Sequence, residues 1–367
     1  MSLQVLLIVD RDRLRNEYAQ LGRLSVALTA SGCRIQAATP APPFGDDHPA
    51  DRPIGLGQPI QYEDRVAPWL RQPRVERMRE QLERQPIDLI WAAGRETWPI
   101  AAALSRMLER PIAVEIDGYA EARALRRSRQ IRTLVSGIIT PSDPLQAYVR
   151  RKFSQADVAR ILPGIAVGAL DRKLRRTPET NGPLGLSILG SGRSRTNDRA
   201  VLESLARLRE TGCDFRCVME LGGKAMDATW RLVRKLQLSD VCTAIQDPSR
   251  VARLLAAGDV LIRASVENRI RPIVLEAMAE GTPVLTAPEP WLDHLNEEDG
   301  ATIVEKPTTA AWTEALQRIL SDDEYRTRQG ERARNSVVTH NRSSDRANSV
   351  LMLFEQIVGR DSLPISP

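Results

Sequence analysis

The sequence predicts an α/β protein with two consecutive doubly wound domains, each a parallel sheet covered by helices on both faces. Short apolar segments alternate with amphipathic helical segments along both halves of the chain, which is the pattern of parallel sheets. A polar and basic stretch at 164–183 interrupts this alternation, and the 367 residues are enough for about two domains. With 42% hydrophobic but only 4% aromatic residues, both cores should be mainly aliphatic.

The first half, 1–163, begins with a strand at 5–9 and an amphipathic helix at 17–30, which Ser31-Gly32 ends. Further strands are predicted at 34–38, 88–91, 112–116 and 137–140, and further helices at 75–84, 98–108, 121–134 and 144–153. Residues 39–73 are rich in Pro, Gly and Asp, so this segment is predicted to be mostly loop.

The pattern restarts after the linker, which closes on the turn-forming run Asn181-Gly182-Pro183. Strands are predicted at 184–189, 215–220, 241–244, 260–262, 284–286 and 302–304. The helices predicted between and after them are 200–209, 228–236, 250–257, 273–280, 291–296 and 310–320. Residues 184–342 therefore form the second predicted domain, and two further helices are predicted at 324–338 and 343–358.

Composition argues against several classes of protein. No apolar run approaches the ~20 residues of a membrane-spanning helix, and the first residues lack the charged head and cleavage site of a signal peptide, so we expect a cytoplasmic location. The four scattered cysteines predict free, buried thiols in a reducing compartment. The three histidines have no ligand spacing, so we expect no bound metal.

The net charge of +5 is mild, but its distribution is uneven. Between Tyr119 and Glu179 there are thirteen basic residues and only five acidic residues. This excess either attracts anionic lipid headgroups, giving a peripheral contact with the inner face of a membrane, or forms an ordinary solvated surface. Nucleic acid is not favoured as a partner, because no aromatic platform accompanies the charge.

The segment 255–287 is the most informative part of the chain, because it predicts a strand, a loop, a helix and a second strand. Pro272 suits the first position of a helix, and Gly281 suits the left-handed residue that ends one. The helix would carry Glu276 on its first turns, with its N-terminus at the carboxyl ends of the strands. Ligands of open α/β sheets bind there, and a helix N-terminus favours anions, so a phosphate group is the expected ligand.

The run Leu275-Glu276-Ala277-Met278-Ala279, followed by Gly281, Pro283 and Val284, resembles the donor-sugar motif of the retaining GT-B glycosyltransferases of family 4, also called group 1. This resemblance implies transfer of a sugar from a nucleoside diphosphate to an acceptor hydroxyl, on a glycan or a lipid-linked saccharide, without a metal or other cofactor. It also implies two Rossmann-like domains facing across a cleft. The N-terminal domain, 1–163, would bind the acceptor, and the last helix, 343–367, would pack back on it.

The resemblance assigns donor-binding roles residue by residue, with departures from the family pattern. Glu276 corresponds to the glutamate that binds the ribose. The position of the glutamate that contacts the donor sugar falls on Asn268, whose neighbour Glu267 either joins the donor site or points outward. Arg269 and Arg271 occupy the position of a glycine-rich segment in the family, where they would either bind an anionic sugar or fill the pocket.

The phosphate-binding element is also altered. Gly192 and Arg193 match its start, but the expected lysine position falls on Asp198. Either Arg195 or Arg199 is the predicted replacement for that lysine, because a guanidinium can grip phosphate oxygens with two hydrogen bonds. The glycine-rich first loop of the N-terminal domain is replaced by the polar run 11–16.

On the acceptor side, Asp117 and Glu96 each follow a predicted strand of the first domain. Asp117 is predicted to orient or deprotonate the acceptor, with an ordinary Asp-Gly turn as the alternative. The catalytic candidates are therefore Asp117, Glu276 and Asn268. Because the motifs are altered, a catalytically degenerate GT-B protein that binds nucleotide sugars or serves as a scaffold is the alternative function, and an epimerase on the same fold is a weaker one.

Overall fold

The computed structural model describes residues 2–41, 58–63, 71–82, 86–166, 182–246, 258–269 and 271–361. The chain divides into two compact units, of which the first contains Met1–Ile165 and Arg342–Pro367 and the second contains Ala166–Asn341. Each unit is built on one parallel sheet with flanking helices. The predicted α/β class with two Rossmann-like sheets is confirmed.

The first unit contains a seven-stranded sheet in the order β3-β2-β1-β4-β5-β6-β7. Its strands are β1 (Gln4–Val9), β2 (Arg34–Pro40), β3 (Ile60–Tyr62), β4 (Leu89–Ala93), β5 (Ile112–Glu115), β6 (Val135–Thr140) and β7 (Asp157–Arg160). Its helices are α1 (Arg11–Ala30), α2 (Arg71–Leu82), α3 (Trp98–Leu108), α4 (Tyr119–Arg127), α5 (Asp143–Arg150) and, from the end of the chain, α11 (Ser343–Asp361). A short 3-10 turn, Arg95–Thr97, joins β4 to α3.

The second unit contains a six-stranded sheet in the order β10-β9-β8-β11-β12-β13. Its strands are β8 (Leu184–Ser191), β9 (Phe215–Leu221), β10 (Cys242–Ile245), β11 (Val260–Arg263), β12 (Val284–Thr286) and β13 (Ala301–Ile303). Its helices are α6 (Arg195–Glu210), α7 (Met226–Lys235), α8 (Pro272–Ala279), α9 (Thr309–Ser321) and α10 (Asp323–His340). All pairings between neighbouring strands are parallel.

The last helix is part of the core of the first unit. Phe354 of α11 is fully buried and meets Trp91 of β4 edge to face, with 5.3 Å between the ring centroids. Ile357 lies so close to Gly137 of β6 that any side chain at that position would overlap it. Because these contacts replace solvent on one face of the sheet, α11 contributes apolar burial that residues before 166 do not supply.

Several element boundaries differ from the predictions for local reasons. The first helix begins at Arg11 rather than at 17, because the carboxylate of Asp10 accepts a hydrogen bond from the Arg13 N–H (2.9 Å) and caps it. The helix predicted over 121–134 ends at Arg127, since Ser128 has extended backbone angles. The polar run 11–16 is thus the first turn of a helix rather than a loop.

Five other segments differ from the predictions or lie wholly or partly outside the described residues. Most of the segment 39–73, which was predicted to be mostly loop, lies outside the described residues (42–57 and 64–70). Its described part contains β3, which Tyr62 fixes by donating a hydrogen bond to the Val9 carbonyl oxygen (2.7 Å). Strand β7 was not predicted, and 291–296 forms turns rather than a helix, with the Asn296 amide bound to the Asp293 carbonyl oxygen (3.0 Å). The predicted helix 250–257 and most of the predicted linker, 167–181, lie outside the described residues.

The described residues contain no helix that is both long and apolar enough to cross a membrane. They also contain no group of three or more His, Cys, Asp or Glu side chains arranged to hold a metal ion. The four cysteines are free thiols, of which Cys33, Cys217 and Cys242 are buried.

Candidate functional site

The candidate donor site lies at the carboxyl edge of the sheet in the second unit. Strands β9, β8 and β11 are adjacent and parallel, so their carboxyl ends meet at this edge. Gly192 and Arg193 follow β8, Glu220 lies near the end of β9, and the loop 264–271 joins β11 to α8. This edge is where open α/β sheets bind their ligands.

Five charged residues from these three segments form one network, which we call the donor cluster: Arg193, Glu220, Glu267, Arg269 and Arg271. Arg271 Nη1 lies 2.5 Å from Glu220 Oε2 and 3.9 Å from Glu267 Oε1. Arg193 reaches both carboxylates, with 3.5 Å to Glu220 Oε1 and 3.3 Å to Glu267 Oε2. Arg269 Nε lies 3.2 Å from Glu267 Oε2. Three cations therefore face two carboxylates.

Burial separates the members of this cluster into two groups. The side chains of Arg271, Glu220 and Glu267 are buried, whereas that of Arg193 is 38% exposed. Burial favours the neutral form of Glu220, but Arg271, the Gly190 N–H and Arg193 outweigh it and lower the pKa of this carboxyl group. Glu220 is consequently ionised at neutral pH. The ion pair of Glu220 with Arg271 carries no net charge, and Arg193 is the most exposed of the three cations of the cluster.

The turn that carries Arg193 needs glycine and is held from beneath. Gly192 has a φ of +83°, and a methyl group there would overlap the Gly222 carbonyl oxygen. Its N–H donates to Asp198 Oδ2 (2.7 Å), and the Thr229 hydroxyl donates to the same oxygen (2.9 Å). Asp198 therefore anchors this turn, and burial raises its pKa. A lysine in its place could accept neither hydrogen bond.

The two predicted replacements for the lysine lie in a different place. Arg195 and Arg199 have exposed side chains on the first turns of α6, where they line a pocket of about 420 Å³ between α6 and α7. Arg199 pairs with Glu203, 3.7 Å away on the same helix. Of the three arginines predicted to bind the diphosphate, the structure brings only Arg193 into the donor cluster.

A second buried ion pair fixes the loop that contains Asn268. Arg263 Nη2, at the end of β11, lies 2.5 Å from Glu289 Oε1 and donates to the Arg269 carbonyl oxygen (3.0 Å). Glu289 Oε2 accepts from the Asn268 N–H (2.7 Å), and burial raises the pKa of Glu289 to about 7 in spite of Arg263. This pair shapes the loop on which Glu267 and Arg269 lie.

Asn268 itself has a left-handed backbone, with a φ of 51°. Asparagine tolerates this conformation better than glutamate does, which gives a local reason for the departure from the family pattern. Its side-chain oxygen is buried and accepts no hydrogen bond from the described residues. The alternative in which Glu267 points outward is wrong, since its carboxylate is buried between Arg193, Arg269 and Arg271.

Helix α8 has the predicted ends. Pro272 is its first residue, and Gly281, just beyond it, has a φ of +77°. No side chain caps its N-terminus, so its first N–H groups are left for other partners. Glu276 lies on the second turn of this helix and is half-buried.

The candidate acceptor residues lie at the corresponding edge of the first unit. Asp117 follows β5 and is partly buried, and its N–H donates to Glu121 Oε2 (2.9 Å). Glu96 follows β4 and is exposed, and its N–H donates to the carboxylate of Asp10 (3.4 Å). Burial first, and then the charge of Asp117, raise the pKa of Glu121 well above its ordinary value, although Arg13 Nη2 lies 3.7 Å from Glu121 Oε2 and opposes this shift.

A buried ionic network beneath Asp117 was not predicted from the sequence. Arg13 of α1 lies 2.9 Å from Glu17 and 3.3 Å from Glu115, and Arg346 of α11 lies 2.7 Å from Glu115. The run 11–16 thus contributes a structural cation, Arg13, to the edge where the resemblance expects a glycine-rich loop. Only the arginine-rich character of 11–16 gave a signal, because the partners of Arg13 are distant in sequence.

Comparison with known proteins agrees with this geometry. Residues 182–336 match the family model "Glycosyl transferases group 1". A D-inositol 3-phosphate glycosyltransferase of Nocardia farcinica (strain IFM 10152) is 34% identical over 111 residues, which is 29% of this chain and 24% of that protein. An N-acetyl-alpha-D-glucosaminyl L-malate synthase of Bacillus anthracis is 24% identical over 162 residues, covering 44% of this chain and 42% of that protein. The chain thus spans less than half the length of these curated relatives.

Solved structures match almost the whole chain. A sucrose-phosphate synthase from Thermosynechococcus elongatus has a TM-score of 0.71 at 18% identity, covering 98% of this chain and 100% of that one. The Anabaena protein HepE in complex with UDP and glucose has a TM-score of 0.70 at 14% identity, with the same coverage. These likenesses establish the fold and confirm the predicted GT-B class.

Proposed function

We propose that this chain is a retaining, metal-independent glycosyltransferase that uses a nucleoside diphosphate sugar. The match of residues 182–336 to the model of the group 1 glycosyl transferases supports this proposal. The observation that carries this proposal is the donor cluster, in which three guanidinium groups face two carboxylates. Transfer leaves a nucleoside diphosphate, whose negative charge must be stabilised as the glycosidic bond breaks. The cation excess supplies that stabilisation without a metal ion.

Arg193 is the residue that binds the diphosphate. Its distances of 3.5 Å and 3.3 Å to Glu220 and Glu267 are loose for salt bridges, and its side chain is partly exposed. It can therefore turn to phosphate oxygens without leaving a buried charge unpaired, because Glu220 keeps Arg271 at 2.5 Å. The uncapped N-terminus of α8 adds further N–H groups that favour an anion.

The remaining donor contacts follow from the chemistry of the side chains. Glu276 accepts hydrogen bonds from the two ribose hydroxyls, which a carboxylate can do with its two oxygens. Asn268 offers to a hydroxyl of the sugar an amide oxygen that has no hydrogen-bond partner among the described residues. The solved structure of HepE is a complex with UDP and glucose, which makes uridine the first base to test here.

On the acceptor side, Asp117 orients the attacking hydroxyl, and Glu121 holds the Asp117 backbone by accepting a hydrogen bond from its N–H (2.9 Å). The acceptor is a hydroxyl of a glycan, of a lipid-linked saccharide, or of a small molecule such as those in the names of the two curated relatives. Peripheral contact with an anionic membrane on the cytoplasmic side remains a prediction from the basic segment.

Calorimetric titration with UDP, GDP and ADP, followed by an assay of sugar release from a panel of donors, tests the proposal. Arg193→Ala should weaken nucleotide binding by about 10- to 100-fold, the value of a charge-assisted hydrogen bond of roughly 1.5–3 kcal/mol. Arg231→Ala, which removes an exposed arginine of α7, is the matched control and should leave binding unchanged.

The outcomes separate the transferase from its alternative. If wild type binds no nucleotide at millimolar concentration, the donor site does not exist and the proposal fails. Nucleotide binding that depends on Arg193, together with no transfer or hydrolysis of any donor, would favour a degenerate nucleotide-sugar-binding protein.

A further inference from the structure

A basic pocket lies in the first unit, apart from the residues assigned above. It has a volume of about 540 Å³ and is bounded by the 3-10 turn after β4, the start of α3 and one face of α4. Three arginines line it: Arg95 from the turn, and Arg123 and Arg127 from α4. Trp98 and Pro99 contribute an apolar wall. Pockets of this size typically bind small molecules.

The three guanidinium groups are not paired with the carboxylates near them in the described part of the chain. All three side chains are exposed, and among the residues that the structure describes none of them forms a salt bridge. Arg123 lies over the ring of Tyr119, with 5.8 Å from its Cζ to the centroid. Arg123 and Arg127 are four residues apart on one helix, a spacing at which like charges destabilise the helix. An anion bound between them would relieve this repulsion.

The wall of the pocket contains one buried hydrogen-bond donor that has no partner among the described residues. The indole N–H of Trp98 is buried and has no hydrogen-bond partner in the described part of the chain. Helix α3 begins at Trp98, and the Thr97 side chain does not cap it, because its hydroxyl donates to the Gly94 carbonyl oxygen (2.7 Å). The Trp98 backbone N–H donates to the Arg95 carbonyl oxygen, and Pro99 has no N–H, so the first two residues of α3 offer no free backbone donor to the pocket.

The pocket is formed by the same two connections that carry the acceptor candidates. Glu96 lies within the 3-10 turn beside Arg95, and Asp117 lies just before α4. We infer that this pocket binds an oxyanion group, phosphate or carboxylate, that the acceptor carries. The assignment of this group to the acceptor rests on the proposed function. The anion site selects acceptors by charge and holds them beside Asp117.

Inorganic phosphate is the first probe, followed by a hexose phosphate and the same hexose without phosphate, each titrated by calorimetry. Wild type should bind both phosphates at millimolar concentration or tighter and should not bind the free hexose. Arg123→Ala and Arg127→Ala should each weaken phosphate binding at least tenfold. Arg126→Ala, which removes a neighbouring exposed arginine that does not line the pocket, is the matched control.

Vesicles distinguish the two sources of such a group. Hexose phosphate binding without pelleting on phosphatidylglycerol vesicles indicates a water-soluble anionic acceptor. Pelleting on phosphatidylglycerol but not phosphatidylcholine, lowered by Arg123→Ala and competed by inorganic phosphate, indicates a lipid phosphate in the same pocket. Either result supports the anion site.

Two results would overturn the inference. One is no binding of either phosphate to wild type at about 10 mM. The other is binding that Arg123→Ala and Arg127→Ala leave unchanged. A parallel titration with UDP keeps the two proposals separate. If phosphate binds through this pocket while UDP does not bind at all, the transferase proposal fails and the anion site stands.

Discussion

Replacing Glu220 with glutamine should destabilise the second unit, and the size of the effect should depend on pH. The carboxylate accepts from Arg271 Nη1 (2.5 Å) and from the Gly190 N–H (2.9 Å), and both charged side chains are buried. Removing one partner of a buried ion pair typically costs 3–5 kcal/mol. Glutamine keeps one acceptor oxygen, and Arg271 keeps a 3.9 Å contact with Glu267, so we expect a loss of about 3 kcal/mol at pH 7.

The sign of the pH dependence follows from the lowered pKa of Glu220. Its ordinary value is 4.5, and the folded value lies below it, so the unfolded chain binds the proton more readily at acid pH. The ion pair therefore stabilises the protein fully above about pH 5, and this stabilisation disappears as the pH falls through the folded pKa. The penalty of Glu220→Gln should consequently be largest at pH 6–8 and should shrink towards pH 4 and below.

Thermal melts at pH 7 and pH 4, with hydrogen exchange of β8 and β9 to localise the effect, measure this penalty. Glu210→Gln, at an exposed position of α6, is the matched control and should change stability by less than about 0.5 kcal/mol. A Glu220→Gln variant as stable as that control at pH 7, or a penalty of equal size at both pH values, would refute the reasoning.

Three further outcomes are expected. Gly192→Ala should unfold at a lower temperature than wild type and lose UDP binding in calorimetry, because the residue has a φ of +83° and the new methyl group would overlap the Gly222 carbonyl oxygen. Gly212→Ala is the control: the space around it is open, so this variant should lose only the stability that its own positive φ costs. Wild type should lose stability between about pH 5 and pH 8 in part because Glu289 keeps its proton to about pH 7 when folded and only to 4.5 when unfolded, and melts of Glu289→Gln should lack this component. Phe354→Ala should destabilise the first unit by about 3–5 kcal/mol in denaturant titrations, since it removes a fully buried ring, while Met352→Ala, on the same helix but 69% exposed, should be nearly neutral.

Local signals in the sequence were sufficient for most of the fold. Apolar runs such as those of β1 and β8 gave the strands, and Pro272 and Gly281 gave the two ends of α8 correctly. Errors arose where tertiary contacts decide the outcome. Strand β3 exists because it pairs with β2, and the segment 291–296 is held in turns by side-chain hydrogen bonds rather than by helical ones.

The candidate site was only partly predictable, for a related reason. Arg193 and Glu267 were recognised from their motif positions, and the structure brings them within 3.3 Å of each other. Glu220, Arg263 and Glu289 were missed, because they lie at the ends of buried strands or in loops, and their partners are distant in sequence or on a different strand. Periodicity reports which residues face the core, but it does not report which charges meet at a sheet edge.

Asp198, at the position where the resemblance expects a lysine, anchors the donor loop instead of supplying a cation. Arg193 still supplies a positive charge to this loop. Asp198 uses its carboxylate to hold the Gly192 N–H and the Thr229 hydroxyl, and its side chain is 2% exposed. A fixed glycine turn in turn fixes the backbone from which Arg193 extends, so less conformational entropy is lost when this arginine binds an anion. Asp198→Asn keeps one acceptor oxygen for these two donors and should weaken UDP binding less than Asp198→Ala, which leaves both donors without a partner. If the two variants bind UDP equally well, and as tightly as wild type, the anchored turn does not contribute to the donor site.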